Sequence, residues 1–161
     1  MKQISLLFLL LVQSSIAQNS LFNQVEAKNI GPTIMSGRVV DLAVNPNNPT
    51  EFYVAYATGG LWYTNNNGTS FSPVLDSAET VNCGSVTVDW NSGTIWVGTG
   101  EVNASRSSYA GVGVLKSSDK GKTWENLGLK DSHHISRIWV NPSNLNEIVV
   151  AAVGHLYTTN K

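Results

Sequence analysis

An eight-residue stretch constrains the fold of this chain more than any other feature. Residues 117–124 are Ser-Ser-Asp-Lys-Gly-Lys-Thr-Trp, the pattern S-x-D-x-G-x-T-W. Its Asp can accept hydrogen bonds from backbone N–H groups of its own turn, and its Gly allows a conformation that a side chain would forbid. The Ser and Thr can link two flanking strands, while the Trp offers a large apolar ring for burial. The residues with predicted structural roles in this strand–turn–strand corner are Ser117, Asp119, Gly121, Thr123 and Trp124.

The same turn recurs in the chain. A softened copy covers residues 64–71, where Asn66 replaces the Asp, Gly68 keeps the Gly and Phe71 replaces the Trp. The last four residues, Thr-Thr-Asn-Lys at 158–161, match the opening of a third copy. A repeated turn predicts a repeated structural unit.

A second repeat runs between the turns. The segment Val-Asn-Pro occurs at 44–46 and again at 140–142, an offset of 96 positions, with Val-Asp-Trp-Asn at 88–91 marking the unit between them. A period of about 48 residues built from short strands is typical of propeller blades. The sequence therefore predicts an all-β β-propeller fragment of four-stranded antiparallel blades, about two and three-quarter blades in all.

The predicted domain organisation has three parts. Met1 to Ala17 has a basic start, an apolar run and small residues before Gln18, which indicates a signal peptide and a secreted or periplasmic product. Residues 18–35 form a lead-in segment. The predicted propeller covers 36–161, with blade 1 at about 36–76, blade 2 at about 81–128 and an incomplete blade 3 at about 133–161.

Strands are expected where β-branched and aromatic residues cluster between turn signals. The predicted strands are 38–44, 51–57, 61–64 and 71–75 in blade 1, 85–90, 94–99, 113–117 and 123–127 in blade 2, and 135–140, 147–152 and 155–159 in blade 3. Propellers close with about four to eight blades. We therefore expect an N-terminal fragment of a longer protein, whose remaining blades are its partners. A short chain closed by other partners is the alternative.

Composition excludes several classes of function. The chain has 10 Lys and Arg against 11 Asp and Glu, with no basic stripe, so a nucleic-acid partner is not expected. The apolar run at the start is too short for a membrane span. Cys83 is the single cysteine and is expected to be a small buried residue. No cofactor is indicated.

These motifs together resemble a known group of proteins. The segments that carry the resemblance are Gly31-Pro32, Ser36 to Val39, Asn45-Pro46, Gly59 to Trp62, Gly98 to Glu101 and Ser117 to Trp124. They resemble the secreted bacterial Asp-box, or BNR-repeat, propellers, relatives of the sortilin N-terminal propeller that are often labelled glycosyl-hydrolase-like. Sialidases, xyloglucan hydrolases, sortilin-type receptors and photosystem II assembly factors share such boxes, so the resemblance implies a fold and leaves the function open.

The main candidate binding residues lie in the insertion between the second and third strands of blade 2. This loop, Gly100 to Gly111, holds Glu101, Arg106 and Tyr109, a set suited to binding sugar hydroxyls or a peptide. The alternative is a solvated hairpin in which Glu101 pairs with Arg106. Glu101 is also the one weak catalytic candidate.

Two further candidates lie near the predicted channel. Arg38 and Asp41 are on the innermost strand of blade 1, where they serve either a ligand or a salt bridge. The repeat aligns Arg38 with His134, which we also take as a ligand-binding candidate. A metal would need more ligands with fixed geometry than the histidines offer, so no metal site is expected.

Two hypotheses of function follow. The first is a glycan- or protein-binding or scaffolding module, and the second is a secreted glycoside hydrolase whose carboxylates lie partly in missing blades. Glycoside hydrolysis normally needs two carboxylates across the scissile bond. Xyloglucan-cleaving propellers have a Thr-Asp-x-Gly-Gly pattern in their first blade, whereas the matching stretch here, Ala57 to Gly60, lacks the Asp. This difference favours the first hypothesis.

Overall fold

The computed structural model describes residues 37–104 and 108–160. These residues belong to one compact unit, Gly31–Lys161. The predicted signal peptide, the lead-in segment, Arg106 and Lys161 lie outside the described residues, so the domain boundaries stay predictions. No helix in the described ranges is long and apolar enough to cross a membrane.

The described residues form short β-strands joined by loops and turns. The strands are β1 (Val39–Val44), β2 (Phe52–Tyr56), β3 (Gly60–Thr64), β4 (Ser72–Pro73), β5 (Cys83–Asp89), β6 (Thr94–Thr99), β7 (Val114–Ser117), β8 (Glu125–Asn126), β9 (Ile135–Asn141) and β10 (Asn144–Ala152). One 3-10 turn, Lys130–Ser132, precedes β9.

The strands are arranged in three antiparallel sheets. Two are four-stranded meanders, with orders β1-β2-β3-β4 and β5-β6-β7-β8, and the third contains β9 and β10. Consecutive strands pair as neighbours throughout, as expected for blades joined by short turns. The predicted all-β class with four-stranded antiparallel blades is confirmed.

The third sheet differs from the sequence prediction. The strand predicted at 155–159 is absent, and this segment forms bends instead. The side chain of Asn160 accepts a hydrogen bond from the main-chain N–H of His155 at 2.6 Å and donates one to the His155 carbonyl at 3.3 Å. These local bonds occupy main-chain groups that a strand would use for pairing. Gly154, with φ +80°, turns the backbone away from the direction of β10.

The core lies between the sheets. Strand β6 is buried at every position, because its two faces pack against different neighbours. Ile95 and Val97 face blade 1, while Trp96 faces blade 3 and is 1% exposed. A strand buried on both faces becomes a nearly continuous apolar run, as the Thr-Ile-Trp-Val-Gly-Thr sequence of β6 shows. Cys83 belongs to the first of these clusters and is fully buried, as expected.

Each blade has a register shift at the start of its innermost strand. The shifts lie between Val39 and Asp41, between Cys83 and Ser85, and opposite Ala151 and Ala152 in β10. Bulges of this kind are frequent next to functional sites, because they redirect side chains.

We name this end of the blades the loop edge, since the 100–113 loop lies there. The opposite end, with the 64–71 and 117–124 turns, is the turn edge.

Asp41 links the innermost strands of all three blades. Its carboxylate accepts a hydrogen bond from the main-chain N–H of Val86 at 3.0 Å and pairs with the guanidinium of Arg137 at 2.9 Å. Asp41 and Arg137 are 96 positions apart, the offset of the repeat, so the fold brings two equivalent positions into contact. Asp41 therefore forms a salt bridge, one of the two roles considered for it.

Candidate functional site

The 100–113 loop is fixed at both ends by main-chain contacts. Gly100 donates a hydrogen bond to the carbonyl of Asn82 at 2.9 Å, and Gly111 donates one to the carbonyl of His133 at 2.6 Å. Gly100 has φ +84°, and a Cβ there would lie 2.0 Å from the His133 carbonyl oxygen. Only glycine allows this approach, because both the backbone conformation and the space exclude a side chain. The ends of the loop therefore contact the strand entry of blade 3.

Glu101 is a buried carboxylate at the start of this loop. It has no exposed surface, and its Oε1 accepts hydrogen bonds from Nε of Arg38, at 2.7 Å, and from Nη2 of the same side chain. In the solvated-hairpin alternative, its partner is Arg106. The structure shows that the partner is Arg38, which precedes Glu101 by 63 residues in the sequence. Arg38 thus forms a salt bridge with a residue of the neighbouring blade.

The second oxygen of Glu101 has no hydrogen-bond partner in the described parts of the chain. Among the described residues, no donor lies within hydrogen-bond distance of Oε2, although this atom is buried. A buried polar atom without a partner is disfavoured by about 1–3 kcal/mol, so such atoms are rare in folded proteins and often mark functional sites. Glu101 therefore has acceptor capacity that the described fold does not use.

His134 lies beside Glu101 and is also buried. Burial lowers the pKa of His134 from its usual 6.5, while a hydrogen bond with the main chain of Glu101 opposes this shift. Its Nδ1 has no partner among the described residues. The ring is therefore held neutral, and the carboxylate of Glu101 has Arg38 as its charged partner. Arg38 and His134 are equivalent in the repeat, and both approach Glu101 from neighbouring blades.

Glu101 lines a cleft of about 360 Å³. We name it the Glu101 cleft. Its lining residues are Gly37, Arg38, Ala57, Thr58, Glu101 and Tyr109. Tyr109 is 57% exposed, and the Arg38 side chain is half exposed. Three of the five predicted ligand-binding residues therefore meet here, whereas His134 lies behind Glu101 and Arg106 is outside the described residues.

A second, larger cleft of about 740 Å³ lies at the loop edge of blade 3. We name it the His155 cleft. Its walls include Asp131, Ser132, His133, Val153, His155 and Thr159. The rings of His133 and His155 stack with centroids 3.8 Å apart and planes 14° from parallel. No sequence pattern predicts this stack, because the two histidines belong to connections 22 positions apart that only the fold brings together.

The histidines do not form a metal site in the described parts of the chain. There, no group of three or more His, Cys, Asp or Glu side chains is placed to hold a metal ion.

The turns at the opposite edge have closed hydrogen-bond networks. In the 117–124 turn, Asp119 accepts from Ser117 Oγ at 2.7 Å and from both the main-chain N–H and the hydroxyl of Thr123, at 2.9 and 2.6 Å. These bonds, led by that of the Thr123 hydroxyl, lower the pKa of Asp119 to about 2. Gly121, with φ +88°, donates its N–H to Ser117 Oγ at 2.8 Å. Trp124 donates its indole N–H to the carbonyl of Val74 at 2.9 Å, which ties this turn to blade 1.

The 64–71 turn has the same geometry with different side chains. Asn66 accepts from the Thr64 hydroxyl at 2.9 Å and from the Ser70 N–H at 3.0 Å. Gly68 has φ +80° and donates its N–H to Thr64 Oγ1 at 3.0 Å. The ring of Phe71 packs edge-on against Phe52 with centroids 6.0 Å apart. In both turns the polar side chains of the repeated pattern bond within the turn itself, and the aromatic residue contacts blade 1.

Comparison with known proteins gives structural neighbours only. No family profile matches the chain, and no curated protein matches it. An ancestral GH74 enzyme aligns with 75% of this chain and 17% of its own length, at 21% identity and a TM-score of 0.55. The GH74 enzyme of Niastella koreensis aligns with 64% of this chain and 16% of its own, at 24% identity and a TM-score of 0.49. The GH74 xyloglucanase of Xanthomonas campestris aligns with 60% and 16%, at 20% identity and a TM-score of 0.44.

The structural neighbours share the fold with this chain at low sequence identity. The chain spans 16 to 17% of the length of the GH74 enzymes it matches. At 21% identity, the alignment with the ancestral enzyme supports the β-propeller fold and nothing finer.

Proposed function

We propose that this chain is a carbohydrate-binding module that binds its ligand in the Glu101 cleft. The observation that carries the proposal is the buried Oε2 of Glu101, which has no hydrogen-bond partner among the described residues. Glu101 lines an open cleft. A sugar hydroxyl, or a water molecule held by the sugar, supplies the donor that this oxygen lacks. The product acts outside the cytoplasm after cleavage near Ala17, as the start of the sequence predicts.

The charge balance of the cleft favours a neutral hydroxyl as this donor. Arg38 already compensates the charge of Glu101 through two hydrogen bonds to Oε1. The pair therefore has no net charge to offer a charged ligand, while an acceptor site stays open. Tyr109 adds an exposed aromatic ring, which provides an apolar face and a polar hydroxyl at the same site. This combination suits a sugar ring.

The lining of the cleft favours binding over hydrolysis. Glycoside hydrolysis normally needs two carboxylates placed across the scissile bond. Among the described residues that line the cleft, Glu101 is the single carboxylate. Thr58, which lines the same cleft, belongs to the stretch where xyloglucan-cleaving propellers have their Asp. The described lining of this cleft thus supplies one of the two groups that the reaction needs.

The alternative is a secreted glycoside hydrolase. The observation that favours it is again Glu101, because a buried carboxylate in a cleft is a common environment for a catalytic acid. In that case the second carboxylate comes from residues beyond this chain, since the ancestral enzyme that aligns with it is about four times its length.

Binding is tested by calorimetry on the full chain with xyloglucan and with cello-oligosaccharides. We expect binding without release of reducing sugar, and a loss of at least tenfold in affinity for both Glu101→Gln and Tyr109→Ala. Glu79→Gln is the matched control for the first change, because Glu79 is in an exposed pair with Lys130. Tyr157→Ala is the control for the second, because Tyr157 is 70% exposed and lies outside the lining of the Glu101 cleft.

Three results would contradict the proposal. Affinity that is unchanged in Glu101→Gln and Tyr109→Ala places the ligand elsewhere on the chain. Release of reducing sugar that Glu101→Gln abolishes establishes the hydrolase instead. Failure to bind any carbohydrate of a broad glycan panel, together with capture of a peptide, replaces the carbohydrate by a protein ligand.

A further inference from the structure

The His155 cleft has the properties of a second ligand site. Its volume of about 740 Å³ is within the range of about 300–1,000 Å³ that is usual for small-molecule sites. Its walls offer hydroxyl groups, imidazole rings and the carboxylate of Asp131 beside the apolar Val153. Mixed donors and acceptors next to apolar surface suit a sugar better than a purely apolar or a charged ligand.

The imidazole of His155 is fixed in one orientation. Its Nδ1 is hydrogen-bonded to the hydroxyl of Thr158 at 2.6 Å, and its Nε2 to the main-chain carbonyl of Asp131 at 3.0 Å. One face of the ring is covered by His133 at a centroid distance of 3.8 Å. A ring held by three contacts loses little conformational entropy when a ligand packs against it, which favours binding.

The turn that carries His133 is strained. Leu129 and His133 bracket the 3-10 turn Lys130–Ser132, and both have positive φ. Leu129 is in the left-handed helical region, with φ 61° and ψ 31°, whereas His133 has the rarer combination of φ 55° and ψ −41°. Each such residue costs of order 1–3 kcal/mol, and strain of this kind clusters at ligand-binding sites. The strain here places the His133 ring on His155, in the wall of the cleft.

The two clefts are adjacent on the loop edge. His133 lines the His155 cleft, and the next residue, His134, contacts the main chain of Glu101 behind the other cleft. The carbonyl of His133 also accepts the N–H of Gly111, at the end of the loop that carries Glu101 and Tyr109. The stretch of main chain at His133 and His134 therefore contacts both sites.

We propose that the His155 cleft is a second subsite for the carbohydrate bound in the Glu101 cleft. This inference rests on the proposed function. The ligand is then a linear oligosaccharide or polysaccharide that crosses from blade 2 to blade 3, and the module discriminates against short terminal sugars. Linking two subsites through one ligand makes the second contact intramolecular, so affinity rises steeply once the ligand spans both.

The test is a length series of cello-oligosaccharides, from two to six glucose units, measured by calorimetry on the full chain. For the natural chain we expect affinity to rise by at least tenfold across the series. His155→Ala and Thr159→Ala should each remove most of this rise and leave the affinity for the disaccharide unchanged. Two variants are used because His155→Ala also removes a stacking partner of His133, whereas Thr159 is an exposed residue of the wall.

Tyr157→Ala is the matched control, since Tyr157 lies in the same segment but outside the wall of the cleft. It should keep the full length dependence, and circular dichroism should show native spectra for all three variants. Binding that is independent of length, or a length dependence that both variants keep, overturns the second subsite and leaves the Glu101 cleft standing. Absence of binding at every length overturns the proposed function and this inference with it.

Discussion

The carboxylates at the two edges of the blades differ in how completely they are hydrogen-bonded. Asp119, at the turn edge, is partly accessible to solvent, yet both of its oxygens accept hydrogen bonds from Ser117 and Thr123. Glu101, at the loop edge, is fully buried, and one of its oxygens has no partner among the described residues. A carboxylate that water could solvate is thus satisfied by its own turn, while one that water cannot easily reach is left incomplete.

This difference separates two uses of polar groups. A closed network specifies a local shape, because every donor and acceptor is committed to the turn itself. A network with an unpaired buried group destabilises the folded state. Such a network is expected where a ligand can supply the missing hydrogen bond. We therefore expect substitutions at the turn edge to affect stability alone, and those at the loop edge to affect stability and ligand binding together.

The largest effect should come from Gly100→Ala at the loop edge. A Cβ at Gly100 would lie 2.0 Å from the carbonyl oxygen of His133, and main chain cannot move aside as a flexible side chain can. We expect a loss of more than about 3 kcal/mol in the free energy of unfolding, measured by urea denaturation. Gly128→Ala is the control, because Gly128 also has positive φ but no atom lies within 4 Å of its Cβ position. The free energy of unfolding of that control should fall by only about 1–2 kcal/mol, the cost of the backbone strain. Equal losses would show that the blade contact at Gly100 does not matter.

Arg38→Met should have the next largest effect, because it leaves the buried carboxylate of Glu101 without its charged partner. Removing one partner of a fully buried pair costs about 3–5 kcal/mol, and the half exposure of Arg38 reduces this to about 2 kcal/mol. Arg137→Met is the matched control, since its partner Asp41 keeps a main-chain donor, the N–H of Val86. The double variant Arg38→Met, Glu101→Gln should regain most of the loss. Additive losses in denaturant titrations would rule out the coupling.

At the turn edge, Ser117→Ala should destabilise the fold without affecting ligand binding. Ser117 is 1% exposed, and its hydroxyl is the acceptor for the N–H of Gly121. Its loss leaves a buried donor unsatisfied, at a cost of about 1–3 kcal/mol in chemical denaturation. Ser143→Ala, at an exposed serine, is the control and should change stability by less than about 0.5 kcal/mol. A change in carbohydrate affinity on Ser117→Ala would break the distinction between the edges.

The smallest effects should appear on acidification, in two separate pH windows. Burial lowers the pKa of His134, so the unfolded chain binds a proton more readily, and stability should begin to fall as the pH drops below 6.5. Hydrogen bonds from Thr123 lower the pKa of Asp119 to about 2, so its contribution is complete above 3.8 and disappears as the pH falls through 2. Denaturation midpoints between pH 8 and 2 test this, with His134→Gln flattening the first window and Asp119→Asn the second. A variant that flattens the other window would show that the assignment is wrong.

The sequence alone determined the repeated architecture. The spacing of the two turns and of the Asn-Pro segments predicted four-stranded blades, because each repeat contains all the local signals that its own strands and turns need. Asp119 and Asn66 could be assigned to their turns for the same reason, since their partners lie within four residues. The strand predicted at 155–159 is absent. The main-chain N–H of His155 donates a hydrogen bond to the side chain of Asn160, and this local bond competes with strand pairing.

Only the tertiary structure decided which side chains meet at the loop edge. Arg38 reaches Glu101 across 63 residues, and His133 stacks on His155, because blades distant in sequence converge there. No local pattern records such a contact, since it depends on how neighbouring sheets twist and pack. The sequence therefore identified Glu101, Tyr109, Arg38 and His134 as candidates. The fold separated those that line the Glu101 cleft from His134, which lies behind it.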